Sequence, residues 1–126
     1  MKSKNLKHKF LWNATDFMSL RPEDGYDRIL GLMSYDHMDW ELDRVNNQEQ
    51  PSIVEMTLKA IQILRRNPKG FYLLVEGGKI DHGHHAGNAQ KALSEFVIFD
   101  QAIEESLKVT DKQDTLTVVT ADHSHV

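Results

Sequence analysis

The hydrophobic positions fall into short runs separated by long polar stretches. Phe10-Leu11-Trp12 is the first run, and Ile29-Leu30-Gly31-Leu32-Met33 is the second. Both have strand length, and the second does not alternate, so it predicts a strand buried on both faces. Residues 15–21 between them predict a short helix. Residues 34–51 are polar and predict a loop. Ser52-Ile53-Val54-Glu55 then has the Ser-x-x-Glu spacing of a capping box, in which hydroxyl and carboxylate satisfy each other's backbone donors at a helix start. Ile53, Met56, Ala60, Ile63 and Leu64 fall on one face of that helix. Asn67-Pro68-Lys69-Gly70 ends it, because proline disfavours helical geometry at the residue before it.

Phe71 to Val75 is a continuous apolar run of strand length, broken by Gly77-Gly78. A helix is predicted over about 87–108, with Leu93, Phe96, Val97, Ile103 and Leu107 on its buried side. Asp111 to Asp114 forms a polar turn. Thr115 to Thr120 is β-branched and apolar, which predicts another strand. Strands separated by helices imply an α/β fold, part of a mostly parallel sheet sandwiched by helices. Tyr72 and Phe96 are read as core, and Trp12 and Trp40 as packing residues.

Composition changes this picture only at its edges. The chain has 126 residues, 40% of them hydrophobic and 27% charged, with a net charge of −4. That is a globular composition. The mild acidity argues against nucleic acid as a specific partner. No apolar run reaches the roughly 20 residues of a membrane span. With no Cys there are no disulfides and no thiolate metal sites. Four of the first nine residues are Lys (Lys2, Lys4, Lys7, Lys9). No apolar stretch follows them, so they do not form a secretory leader, and they read as a solvated strand edge.

The histidines carry the chemistry. Of seven, five fall in two stretches that also hold Asp: His82, His84 and His85 after Asp81, and His123 and His125 after Asp122. Each stretch follows a predicted strand, and in parallel sheets sites form beyond the carboxyl ends of strands. If those strands are neighbours, the two clusters converge. Asp81 and His85 have the i, i+4 spacing that puts two ligands on one side of a helical turn. Asp122 and His123 are adjacent, so they could share an ion only where the backbone leaves strand geometry. Glu76, before two glycines, could reach a further ion. Carboxylates and neutral imidazoles together suit divalent metals.

Val75-Glu76-Gly77-Gly78-Lys79-Ile80-Asp81-His82-Gly83-His84-His85 and Thr120-Ala121-Asp122-His123-Ser124-His125 resemble the two metal-binding motifs of animal alkaline phosphatases. The resemblance extends from about Phe10 to Val126. It includes Leu30-Gly31-Leu32 and Asn67-Pro68-Lys69-Gly70-Phe71. It implies that residues 1–126 are a partial alkaline phosphatase-like catalytic domain. The implied activity is hydrolysis of phosphate monoesters through a phosphoserine intermediate, with two Zn²⁺ and one Mg²⁺ as cofactors.

By position, Glu76 matches a magnesium ligand. Asp81 and His85 match ligands of the first zinc, and Asp122 and His123 ligands of the second. His82 matches a position near the substrate phosphate. His125 matches a residue that orients a zinc-ligating carboxylate, and His84 matches no ligand. The family's nucleophilic serine lies N-terminal to this stretch, and a further zinc-ligating histidine lies C-terminal to it. None of Ser52, Ser94, Ser106 and Ser124 sits in the nucleophile motif, so these 126 residues are expected to be inactive alone.

The family's calcium site is weakened here. Its positions read Met33, Ser34 and either Glu49 or Gln50, and Ser34 supplies no carboxylate. Small phosphate monoesters are the implied substrates. The complete parent is expected to be a homodimer, extracellular or at the cell surface. Asn13-Ala14-Thr15 fits the glycosylation acceptor pattern. Two alternatives stand beside this reading: a related hydrolase acting on diesters or sulfates, and a non-catalytic zinc-binding module.

Overall fold

In the computed structural model, which describes residues 5–47 and 49–125, two short strands pair in parallel. Strand β1 (His8–Leu11) lies beside β2 (Arg28–Gly31), with His8 opposite Arg28 and Leu11 opposite Gly31. Helix α1 (Ala14–Ser19) and a 3₁₀ turn (Pro22–Asp24) connect them. Asn13 starts α1, its Oδ1 accepting the backbone N–H of Asp16 at 2.7 Å. Leu11, Phe17 and Leu20 form the buried core of this unit, with Tyr26, Ile29, Met33, Met56 and Ile63 packed around it. Lys2 and Lys4 lie outside the described residues.

The predicted β2 strand was to be buried on both faces. Instead Ile29 faces the core while Leu30 and Leu32 are more than half exposed. Only one face of this sheet is covered.

Four helices follow. Residues 34–51 are not all loop: α2 (Glu41–Asn47) forms within them. Its first backbone N–H, at Glu41, donates to the Glu95 carboxylate at 2.7 Å, and Arg44 holds Glu41 through two hydrogen bonds of 2.7 and 2.8 Å. Helix α3 (Ile53–Leu64) begins with the predicted box, Ser52 Oγ accepting from the Glu55 N–H and the Glu55 carboxylate from the Ser52 N–H. It packs in two directions. Met56 and Ile63 join the β1–α1 core, while Thr57 and Ile61 are buried in the helix. Helix α4 (Lys79–His85) and the long helix α5 (Ala89–Val109) lie against each other, and α3 also packs on α5.

The buried side of α5 differs from the predicted one. Ala92 and Ala102 are buried, whereas Leu93, Phe96 and Val97 are 56–65% exposed and Leu107 lies at the margin of exposure. The reason is the close approach of α4. A Cβ placed on Gly83 would stand 2.7 Å from the backbone of Ala92, so this seam admits only small side chains. Phe96 is therefore not core, and neither are Tyr72 (83% exposed) and Trp12 (65% exposed).

Residues 71–75 and 115–120 are not strands of a sheet. Among the described residues, neither run is paired with a strand, and Thr115 N–H donates only to the Asp111 carbonyl of the preceding turn, at 2.8 Å. A strand is defined by its pairing, and apolar sequence alone does not supply a partner. The architecture is α/β, with a smaller sheet than the hydrophobic runs predict.

Candidate metal centre

Helix α4 carries Asp81, His82 and His85 of the predicted site. It starts at Lys79, whose Nζ donates to the Met38 carbonyl at 2.7 Å and lies 4.0 Å from the Trp40 ring centroid. It ends in a tight reversal. Gly87, at φ +60°, has the left-handed conformation that favours glycine, and the Asn88 N–H returns to the Gly83 carbonyl at 3.0 Å. Asn88 then caps α5 through the Lys91 N–H at 3.0 Å. With Gly83 pressed on Ala92, the polar side chains of α4 are left on its open side.

The second cluster folds onto the first. His125 Nε2–H donates to Asp81 Oδ1 at 2.7 Å across 44 residues of sequence. His85 Nε2 and His123 Nε2 each stand 3.5 Å from that same oxygen. His123 Nε2 is also 3.5 Å from Asp122 Oδ2. Donor atoms of Asp81, His85 and His125 all lie within 4.8 Å of one another. The hydrogen bond from His125, joined by the charges of His85, His125 and His123, holds the Asp81 carboxyl below its ordinary 3.8 against the opposing effect of desolvation.

The distances separate two kinds of contact. Two ligands bound tetrahedrally at about 2.1 Å from a zinc ion stand about 3.4 Å apart. Asp81–His85, Asp81–His123 and Asp122–His123, each at 3.5 Å, have that spacing. Asp81–His125, at 2.7 Å, is instead a charge-assisted hydrogen bond.

Proton positions lead the same way. His123 Nδ1 can only donate to the Ser124 carbonyl, 3.2 Å away. Its other ring nitrogen, Nε2, faces Asp81 Oδ1 and Asp122 Oδ2 at 3.5 Å each, a place for a ligand atom or for an N–H between two carboxylates. The donor set fits zinc.

Other expected residues stand apart. Glu76 is exposed, its carboxylate turned back over Gly78, and it is not in the three-donor group. Asp122 keeps 88% of its side chain exposed. His82 meets His37 edge-to-face, with ring centroids 4.7 Å apart. His37 has no place in either motif, and its solitary position in a polar stretch gave no signal.

The calcium positions come together in part. Met33, Glu49 and Gln50 line a recess of about 430 Å³ with Trp12 and Asn13. But the Gln50 Oε1 already accepts from the Asp39 N–H, and Ser34 Oγ donates to the His37 carbonyl. One carboxylate does not fit an ion that takes 6–8 oxygens. The Asn13 amide is likewise engaged, donating to Asp16 at 3.1 Å while it caps α1. Of the serines, Ser52 serves its capping box and Ser106 donates to the Ile103 carbonyl.

The molecule is thus an α/β protein with a clustered carboxylate–imidazole group of the kind that can hold a metal ion. The sequence model of the alkaline phosphatase family matches residues 1–126. The chain is 56% identical over 121 residues to the human tissue-nonspecific alkaline phosphatase isozyme, covering 95% of this chain and 23% of that protein. It is 52% identical over 128 residues to the same isozyme from Felis catus, covering 99% and 24%. Against the alkaline phosphatase of Gadus morhua it is 51% identical over 120 residues, covering 95% and 25%. The chain belongs to the alkaline phosphatase family. It spans about a quarter of the length of these relatives.

Proposed function

We propose that these residues are part of an alkaline phosphatase that hydrolyses phosphate monoesters through a phosphoserine intermediate. Asp81 and His85 would hold one zinc and Asp122 and His123 the second, with Glu76 on magnesium. The observation that carries this reading is that His85 Nε2 and His123 Nε2, from two segments some 40 residues apart in sequence, each stand 3.5 Å from the same Asp81 oxygen. Bound zinc would supply Lewis-acid stabilisation of the charge that develops on attacking and leaving oxygens.

The chain's own side chains do the rest. His125 orients Asp81 through its hydrogen bond, as outer partners of metal ligands do. His82 is proposed to lie beside the substrate phosphate. The nucleophilic serine is proposed to come from outside these residues, so the 126-residue chain alone should hydrolyse no phosphomonoester even with zinc added. The complete protein is proposed to be a homodimer, outside the cell or on its surface.

The test is replacement of one ligand from each segment in the complete enzyme. Asp81→Ala and His123→Ala should each lose about one zinc per chain, because an opened coordination shell does not retain its ion. Activity should fall in step. Full zinc content in both variants would end the assignment.

A further inference from the structure

His84 matches no ligand position, yet it is the most closely engaged histidine of α4. Its Nδ1–H donates to the Ile80 carbonyl one turn back at 2.8 Å. That bond fixes the ring plane. The ring then lies face to face with His125, centroids 4.9 Å apart and planes 12° from parallel. His85 and His123 meet His125 with their edges instead, at 4.8 Å and 87° and at 5.1 Å and 61°. His125 is thus backed on one face and bordered by two rings, with 21% of its side chain exposed against 51% for His123. The stack on His84 covers the face that a rotation of that ring would have to slide across.

We infer that His84 is a positioning residue: by stacking on His125 it holds that ring's Nε2–H on Asp81 Oδ1. A helix residue would thereby fix a loop residue, and through it the orientation of a carboxylate. The relay runs from the His84 ring through His125 to Asp81. Aromatic faces at this separation attract in offset arrangements, so a plain aromatic ring should serve where a small side chain does not. The inference rests on the proposed metal reading only for its consequence, since the relay exists without an ion.

The experiment uses the full 126-residue chain with ¹⁵N-labelled histidine, first metal-free and then titrated with Zn²⁺ against a chromophoric chelator. His84 is exposed, so its replacement leaves the packed seam untouched. In the metal-free chain, His125 should show the signature of a single hydrogen-bonded Nε2–H. His84→Ala should move that signal to the tautomer average of a free imidazole, and His84→Phe should restore it. Zinc affinity should fall about 10-fold in His84→Ala, the lower end of what loss of an outer partner costs, and recover in His84→Phe.

An unchanged His125 signal in His84→Ala, or a His84→Phe chain as impaired as His84→Ala, would overturn the inference. Failure of the metal reading looks different: the chain takes up no zinc while His84→Ala still releases His125, which sustains the relay and removes its metal.

Discussion

The two halves of the candidate centre are built differently. Asp81 and His85 stand on a helix whose own geometry fixes their spacing and whose position is fixed by Gly83 against Ala92. Asp122 and His123 stand on an exposed bend without backbone ladders. The helical half carries its geometry with it. The other half takes its geometry from what it touches, and the contact that ties it down is His125 on Asp81. A helix encodes a site locally, whereas an unpaired segment depends on neighbours far away in sequence.

That contrast can be broken most forcibly at Gly83. Gly83→Val should cost about 2–3 kcal/mol in urea unfolding, because the new side chain meets backbone and cannot be accommodated by a rotamer change. Ala121→Val, in the exposed half, should stay within about 0.5 kcal/mol of the parent. Equal effects would show that α4 is not held by the seam. Trp40→Ala should act next most strongly. It removes the ring lying 4.0 Å from Lys79 and 4.6 Å from Lys91, and the loss should be about 1–2 kcal/mol by thermal unfolding.

The smallest effects are those of pH, and they have opposite signs. Burial lifts the Glu95 carboxyl above its ordinary 4.5, against the Glu41 N–H and the charge of Lys79. The folded chain then keeps this proton where the unfolded chain releases it, so Glu95 favours folding less as pH rises from 4.5 through its folded value. Asp81 is lowered from 3.8 by His125. Its contribution is complete above 3.8 and is lost as pH falls through its folded value. Stability measured in urea across the acid range should lose the first dependence in Glu95→Gln and the second in Asp81→Asn. A Glu95→Gln profile that still falls with rising pH to the parent's extent would refute the buried-carboxyl account.

The sequence revealed what local physics decides. The capping box at Ser52 and Glu55, the Asn67–Gly70 stop and the i, i+4 pair of Asp81 and His85 all lie where their residues placed them. The two His/Asp clusters do meet, but not for the expected reason, since the runs before them are not neighbouring strands. Helix α2 was hidden because its start is satisfied by Glu95, 54 residues away. The face of α5 was misread because large apolar side chains normally mark a core. Here a glycine seam excludes them and selects alanines instead. The runs at 71–75 and 115–120 have strand composition, but pairing is not a local property.

Those two runs have a practical consequence. Leu116, Val118 and Val119 are 57–88% exposed within Thr115–Thr120, six residues without charge or proline. Short uncharged β-prone stretches with open backbone edges stack readily into cross-β ribbons. Concentrated preparations of these 126 residues should therefore self-associate through that stretch. A lysine at Val118 should act as a gatekeeper and keep them dispersed.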